Sequence, residues 1–77
     1  MIGELLNYIR LELLRQPKRV LTADMPLISS GLIDSFSLVD LGIHIETQYG
    51  VTLDPSELAV SSFDTAEQLA ALIQSRQ

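Results

Sequence analysis

The chain has 77 residues, of which 47% are hydrophobic and 19% are charged, and it contains no cysteine. This composition is typical of one folded domain, which we assign to residues 1–77, and it argues against disorder, disulfide bonds and thiolate catalysis. No apolar run approaches the roughly 20 residues of a membrane span, and the first residues do not resemble a signal peptide. We therefore expect a cytoplasmic monomer without a membrane span.

The net charge of −5 is distributed unevenly along the chain. Residues 1–20 carry four basic and two acidic side chains, whereas residues 21–77 carry one basic and eight acidic side chains. Such an acidic surface repels phosphate backbones, so we expect no nucleic-acid binding and favour a basic protein partner. The basic residues around the end of the first helix are interpreted as a solvated face, with contact to an anionic partner or membrane as the alternative.

The first predicted element is an amphipathic helix over Ile2–Leu14, in which apolar residues recur at intervals of three and four. Pro17 cannot continue this helix, so we predict a stop near Arg15 or Gln16. Residues 17–33 then form a long connection that is too apolar to be a free linker. We expect this loop to pack its own side chains over the helices.

A second helix is predicted from Asp34, a suitable N-cap, to Tyr49, since Gly50 supplies a C-terminal stop. The segment Asp54–Glu57 predicts a short helix of one or two turns. A last amphipathic helix ends near Gln74. Its predicted capping box is formed by Asp64 and Glu67. The expected fold class is all-α: a small four-helix bundle of three main helices and one short helix, with a long loop between the first two helices.

The second helix carries apolar residues on two faces. At about 100° per residue, one set falls within roughly 80° and is interpreted as core: Leu38, Leu41, Ile45 and Tyr49. A second apolar set, Phe36, Val39 and Ile43, lies on nearly the opposite side, and the acids Asp40 and Glu46 flank it. We call these five residues the docking face. A surface helix is normally polar there, which indicates a binding surface for a partner protein. The alternative is that the long loop covers the apolar members and buries them.

Ser35 lies at the start of the second helix, where unpaired N–H groups and the helix dipole favour a bound phosphate. The alternative is a serine that only favours the helix start. A hydrolase is disfavoured because Ser35 and His44 are nine residues apart on opposite sides of one helix. His44 is the only histidine, and Asp24, Asp34 and Asp40 lack calcium-loop spacing, so we predict no metal site.

The stretch from Gly31 to Leu41, GLIDSFSLVDL, resembles the phosphopantetheine attachment segment of acyl carrier and peptidyl carrier proteins. An Asp-Ser pair opens the second helix in that family, as Asp34 and Ser35 do here. Further family landmarks are matched downstream by residues 45–46, 49–51 and 63–65. Typical fatty acid biosynthesis carriers are acidic where this chain has neutral residues, at Ser37, Thr47 and Gln48. This disfavours a generic role in fatty acid synthesis. The stretch GLIDSF, in which Phe36 replaces the commoner leucine, is more similar to specialised stand-alone carriers, including those loaded by an adenylating ligase.

The resemblance implies that Ser35 is the attachment serine for 4′-phosphopantetheine donated by coenzyme A, with Asp34 as the helix cap beside it. It implies a non-catalytic carrier that holds an acyl or aminoacyl group as a thioester for lipid, polyketide or nonribosomal-peptide-type biosynthesis. The implied partners are a phosphopantetheinyl transferase and an acyl- or aminoacyl-activating ligase or synthase, which would contact the docking face. The alternative function is an unmodified helical adaptor that binds a partner through the same apolar stripe.

Overall fold

The computed structural model describes residues 1–77 and contains helices without strands. The first helix consists of the α-helical α1, Ile2–Tyr8, and a π-helical continuation at Ile9–Leu13. The second helix, α2, is Ser35–Tyr49. A 3₁₀ turn follows at Pro55–Glu57, and the last helix, α3, is Ala66–Gln74. The predicted all-α fold with three main helices and one short helix is confirmed.

The first helix ends through a widened turn. The backbone N–H of Leu14 donates to the carbonyl of Ile9 at 2.9 Å, five residues back, which is the hydrogen-bond spacing of a π-helix. Arg15 then adopts a left-handed conformation, with φ at 53°, and turns the chain before Pro17. The predicted end of the helix is confirmed, whereas the apolar spacing alone did not predict the π-helical geometry.

The long loop between the first helix and α2 is held by buried side chains. Leu27 is fully buried, and Leu21 and Ile33 keep only 8% and 3% of their surface exposed. These residues belong to the same hydrophobic core as the helices. The expectation that the loop packs over the helices is therefore confirmed.

One hydrophobic core joins α1, α2 and α3. α1 packs against α3, and the π-helical segment packs against α2. Several aliphatic side chains have no exposed surface: Leu5, Ile9, Leu27, Leu41, Ile45, Leu69 and Ile73. Their burial supplies the main favourable term in folding, since the chain has no disulfide bond. None of the helices combines the length and the apolar character that crossing a bilayer requires.

The start of α3 corrects the predicted Asp64–Glu67 capping box. Thr65 is the N-cap, because its side chain accepts the N–H of Gln68 at 3.1 Å. The Gln68 side chain in turn accepts the N–H of Thr65 at 3.2 Å. This pair has the same spacing as the predicted one, displaced by one residue. The Asp64 carboxylate instead accepts hydrogen bonds from the long loop, which explains why it does not cap the helix.

The segment after α2 forms a single 3₁₀ turn rather than a longer helix. Its predicted start is present, since the Glu57 side chain accepts the N–H of Asp54 at 3.0 Å. Leu58 then leaves the helical region, with ψ at 62°, and ends the turn. Arg76, beyond the end of α3, forms an ion pair with Glu57. The turn therefore lies within the connection of residues 50–65 between α2 and α3, and the ion pair joins it to the end of α3.

Candidate functional site

The first turn of α2 presents Ser35 to solvent. Asp34 precedes it in an extended conformation, and its Oδ1 accepts the N–H of Ser37 at 2.8 Å. This bond satisfies one of the N–H groups that a helix start leaves unpaired. Hydrogen bonds from Ser37 and the Phe36 N–H lower the pKa of Asp34 below its ordinary value. Asp34 therefore stays ionised and caps the helix, while Ser35 remains exposed.

The chain enters this turn from a closed loop. The N–H of Ile33 donates to the carbonyl of Leu27 at 3.0 Å, which joins the two ends of the segment 27–33. Gly31 lies between them with φ at 79°, a conformation that glycine adopts without steric cost. Because Leu27 and Ile33 are both buried, the chain reaches Ser35 from a fixed point two residues earlier.

The apolar members of the docking face lie on the surface. Phe36 is 85% exposed, Val39 is 55% exposed and Ile43 is 59% exposed. Asp40 and Glu46 are exposed on the same helix. The long loop therefore does not cover this stripe, and the alternative that it forms part of the core is wrong. Its role in binding partners stays a prediction.

The opposite stripe of α2 enters the core. Leu38, Leu41 and Ile45 are buried, as the helical spacing predicts. Tyr49 is half-buried, and its hydroxyl oxygen is shielded from solvent without a hydrogen-bond partner. Burial raises the pKa of the Tyr49 phenol above its ordinary value. The helix thus has one face fixed by packing and one apolar face left free.

His44 is a packing residue rather than a partner of the serine. Its ring stacks on Tyr8 of α1, with ring centroids 3.7 Å apart and planes within 8°. Tyr49 meets the same imidazole edge-on at 6.5 Å. Nine residues of α-helix separate His44 from Ser35 by about 13.5 Å along the axis, so they cannot form a nucleophile and base pair. Sequence reasoning missed the stack, because apolar periodicity carries no signal for a tyrosine and histidine on different helices.

The site at Ser35 fits an attached phosphodiester. The exposed side chain leaves room for a bulky group, and Asp34 holds the helix start without using the serine. α2 has 15 residues, so its N-terminus carries the partial positive charge that favours a phosphate. No group of three His, Asp or Glu side chains is placed to hold a metal ion. The arrangement supports covalent attachment at an exposed helix start.

Comparison with known proteins points to one family. The family described as "Phosphopantetheine attachment site" matches residues 3–73. The lincomycin biosynthesis protein LmbN of Streptomyces lincolnensis is 45% identical over 53 residues, which is 69% of this chain and 19% of that protein. The D-alanyl carrier protein of Lactococcus lactis subsp. cremoris, strain MG1363, is 32% identical over 53 residues, which is 69% of this chain and 67% of that protein. No solved structure matches the chain at comparable significance.

The family match extends over all three main helices and includes Asp34 and Ser35. It agrees with the helical fold, with the exposed serine at the start of α2, and with relatives that include a carrier protein. The chain therefore belongs to the phosphopantetheine attachment family of acyl and peptidyl carrier proteins, and its prosthetic group is covalently bound 4′-phosphopantetheine.

Proposed function

We propose that Ser35 carries the 4′-phosphopantetheine arm and that the chain holds a small acyl cargo on this arm as a thioester. An aminoacyl group is the preferred cargo in this proposal. The observation that carries this proposal is the exposed Ser35 directly after the Asp34 cap, within a chain that matches the attachment family from residue 3 to residue 73. The carrier has no catalytic residue of its own and is a substrate of its partner enzymes.

In the attachment step, the Ser35 oxygen bonds to the phosphorus of coenzyme A that bears the pantetheine. The bond from this phosphorus to the bridging oxygen breaks, adenosine 3′,5′-bisphosphate leaves, and the serine proton passes to a base of the transferase. When bound, the arm supplies a thiol on which the cargo is held as a thioester. Asp34 holds the helix start in place, and the absence of cysteine leaves no protein thiol to compete for the acyl group.

The packing of the core favours a small cargo. The aliphatic side chains between the helices are fully buried, so a long acyl chain would have to separate residues such as Leu41, Ile45 and Ile73. Small groups avoid this cost, because they remain outside the bundle on the flexible arm. The D-alanyl carrier protein, to which this chain is similar, is named for an aminoacyl cargo. This supports an aminoacyl cargo for the present chain.

The docking face is proposed as the surface that partner enzymes recognise. Phe36 lies beside the proposed attachment serine, and Ile43 lies two helical turns further along α2. The acids Asp40 and Glu46 make this helix anionic, since α2 contains no lysine or arginine. A partner that binds here therefore presents basic side chains around an apolar contact. The transferase and an activating ligase both have to approach Ser35 and are its expected users.

Incubation with coenzyme A and a broad-specificity transferase tests the attachment. The intact mass of the wild-type chain should rise by one phosphopantetheine moiety, and Ser35→Ala should abolish the rise. Ser37→Ala is the matched control, because it removes a hydroxyl two residues away on the same helix turn. Modification that survives in Ser35→Ala contradicts the site. Failure of several transferases on the wild-type chain supports the unmodified adaptor instead.

Acyl-pantetheine groups of different size, transferred from the corresponding coenzyme A thioesters, test the cargo. We expect the methyl NMR signals of Leu41, Ile45 and Ile73 to stay unchanged when an alanyl group is attached. A long fatty acyl group should leave them unchanged as well, because it stays outside the packed core. Shifts of these signals together with a raised unfolding midpoint would show that the bundle encloses long chains, and would contradict the proposed cargo.

A further inference from the structure

Asp64 connects the long loop to the start of α3. Its Oδ1 accepts the N–H of Ile28 at 2.8 Å and the N–H of Ser29 at 2.9 Å. Its Oδ2 accepts the hydroxyl of Ser29 at 2.5 Å, and its backbone carbonyl accepts the N–H of Leu27 at 2.7 Å. One residue therefore binds three consecutive loop residues that lie 35 to 37 positions earlier in the chain.

These bonds fix the beginning of the closed loop that leads to Ser35. Leu27 is bonded to Asp64 through its N–H and to Ile33 through its carbonyl. Between these buried ends, the residues at 29–31 are exposed and lie outside the core. Apart from Asp64, only local bonds hold them: the Ser30 hydroxyl donates to the Pro26 carbonyl at 2.7 Å, and the Gly31 N–H donates to the Ile28 carbonyl at 3.0 Å. The bonds from Asp64 to Ile28 and Ser29 extend the anchor into this exposed part. The position of the chain two residues before Ser35 consequently depends on the segment that precedes α3 as well as on the core.

We propose that Asp64 is a positioning residue for phosphopantetheine attachment: its carboxylate keeps the loop 27–33 closed, so that the first turn of α2 meets the transferase in one orientation. This inference rests on the proposed function of Ser35. Asp64 itself does not touch the serine and acts only through the loop. A transferase that binds only the closed loop works on the fraction of molecules in which the loop is closed, and an open loop lowers that fraction.

A second role for Asp64 has to be separated from this one. Its carboxylate is also a negative charge, and a basic transferase that responds to charge alone would be slowed by its loss as well. Glu67, exposed in the first turn of α3, is the matched control because its side chain makes no bond to the loop. Glu67→Gln removes one charge three residues away and leaves the anchor intact. Asp64→Asn removes the charge but keeps one carbonyl oxygen as an acceptor.

The test compares the transferase kinetics of Asp64→Ala, Asp64→Asn, Ser29→Ala and Glu67→Gln with those of the wild-type chain. Amide hydrogen exchange of residues 27–33 is measured on the same apo samples, and urea midpoints show that each variant is folded. We expect Asp64→Ala to lower kcat/KM between about tenfold and a hundredfold and to speed exchange at residues 28 and 29. Asp64→Asn and Ser29→Ala should lie between Asp64→Ala and the wild type. Glu67→Gln should match the wild type in both measurements.

Faster exchange in Asp64→Ala with wild-type kcat/KM would overturn the inference, because the loop would then be open without consequence for attachment. An equal loss of kcat/KM in Glu67→Gln and Asp64→Asn would also overturn it in favour of charge. If Asp64→Ala does not fold, Asp64→Asn and Ser29→Ala decide by the same criteria. A wild-type chain that is not modified at Ser35 overturns the proposed function and this inference together, whereas equal modification of wild type and Asp64 variants overturns the inference alone.

Discussion

Two tyrosine rings contact the imidazole of His44, and this contact affects the pKa of the imidazole. Tyr8 covers one face of the ring and Tyr49 meets its edge. Burial lowers the pKa of His44 below its ordinary value, although the negative charges of Glu12 and Glu4 act in the opposite direction. Desolvation wins because the stacked ring removes water from the imidazole, whereas the carboxylates act through solvent. Folding therefore favours the neutral form of His44.

The lowered pKa of His44 predicts a loss of stability on acidification. Folding keeps this group neutral, so its contribution is complete above the ordinary histidine pKa of about 6.5 and declines as the pH falls toward the folded-state value. Tyr8→Ala should raise the pKa of His44 toward 6.5, because the covering ring is lost. Tyr8→Phe is the control, since it keeps the ring and removes only the hydroxyl that donates to the Asp40 carbonyl at 3.2 Å. NMR titration of the imidazole protons measures the pKa of His44 in both variants. An unchanged pKa in Tyr8→Ala would contradict the desolvation argument.

Two aspartates show which residue roles the sequence can predict. Asp34 precedes a helix whose start is defined by its own apolar period, so its capping role follows from local spacing and is confirmed by the bond to Ser37. Asp64 has an equally suitable local spacing, and the predicted role is wrong. Its carboxylate is occupied by Ile28 and Ser29, whose proximity to α3 depends on tertiary packing. No pattern within a few residues of Asp64 records that contact.

At the scale of the element, the two faces of α2 should respond differently to truncation. Leu41 is fully buried, and Leu41→Ala should lower the free energy of unfolding by about 2–5 kcal/mol through lost burial and a residual cavity. Val39 is 55% exposed on the other face, and Val39→Ala should change the free energy of unfolding by less than about 0.5 kcal/mol. Urea unfolding of both variants provides the comparison. Similar losses for the two variants would contradict the assignment of the faces.

The docking face should affect partner kinetics more than stability. Asp40→Asn should slow association with a basic partner, and the effect should shrink as added salt screens the charge. Ile43→Ala should mainly speed dissociation, because an apolar anchor is lost. Both variants should keep near-native urea midpoints while kcat/KM of the transferase or ligase falls several-fold.

Leu11→Ala provides a matched control for Ile43→Ala, because Leu11 is an apolar residue that is 49% exposed on the first helix and is not a member of the docking face. It should change neither kinetics nor stability appreciably. Wild-type kinetics in Ile43→Ala, with stability reduced by about 2 kcal/mol or more, would show that Ile43 supports the fold instead. Equal kinetic losses in Leu11→Ala and Ile43→Ala would remove the argument for a specific face.

Helix positions were predictable because each main helix has its own apolar period and its own start and stop residues. Gly50, for example, ends α2 in the left-handed conformation, which glycine adopts more readily than other residues. The finer geometry was not predictable in the same way. The π-helical segment Ile9–Leu13 packs against α2, and the single 3₁₀ turn at Pro55–Glu57 is joined to Arg76. The π-helical segment and the 3₁₀ turn both contact residues that are distant in sequence. The local spacing of apolar residues carries no information about such contacts.

For the whole molecule, the uneven charge and the filled core support the same arrangement. Eight of the ten acidic residues lie after residue 20, so the part of the chain that holds Ser35 and α2 is anionic, while basic residues cluster near the end of the first helix. The core occupies the space between the helices and leaves the first turn of α2 on the surface. In the proposed function, partners and prosthetic group meet on the exposed side of α2, which is supported from behind by packed aliphatic side chains.

The central claim is that the exposed serine at the start of α2 carries the prosthetic group. The most direct measurement is fragmentation mass spectrometry of the unaltered chain after reaction with coenzyme A and a transferase. We predict one added phosphopantetheine, located on Ser35. Location of the added group on Ser29, Ser30 or Ser37 would contradict the account.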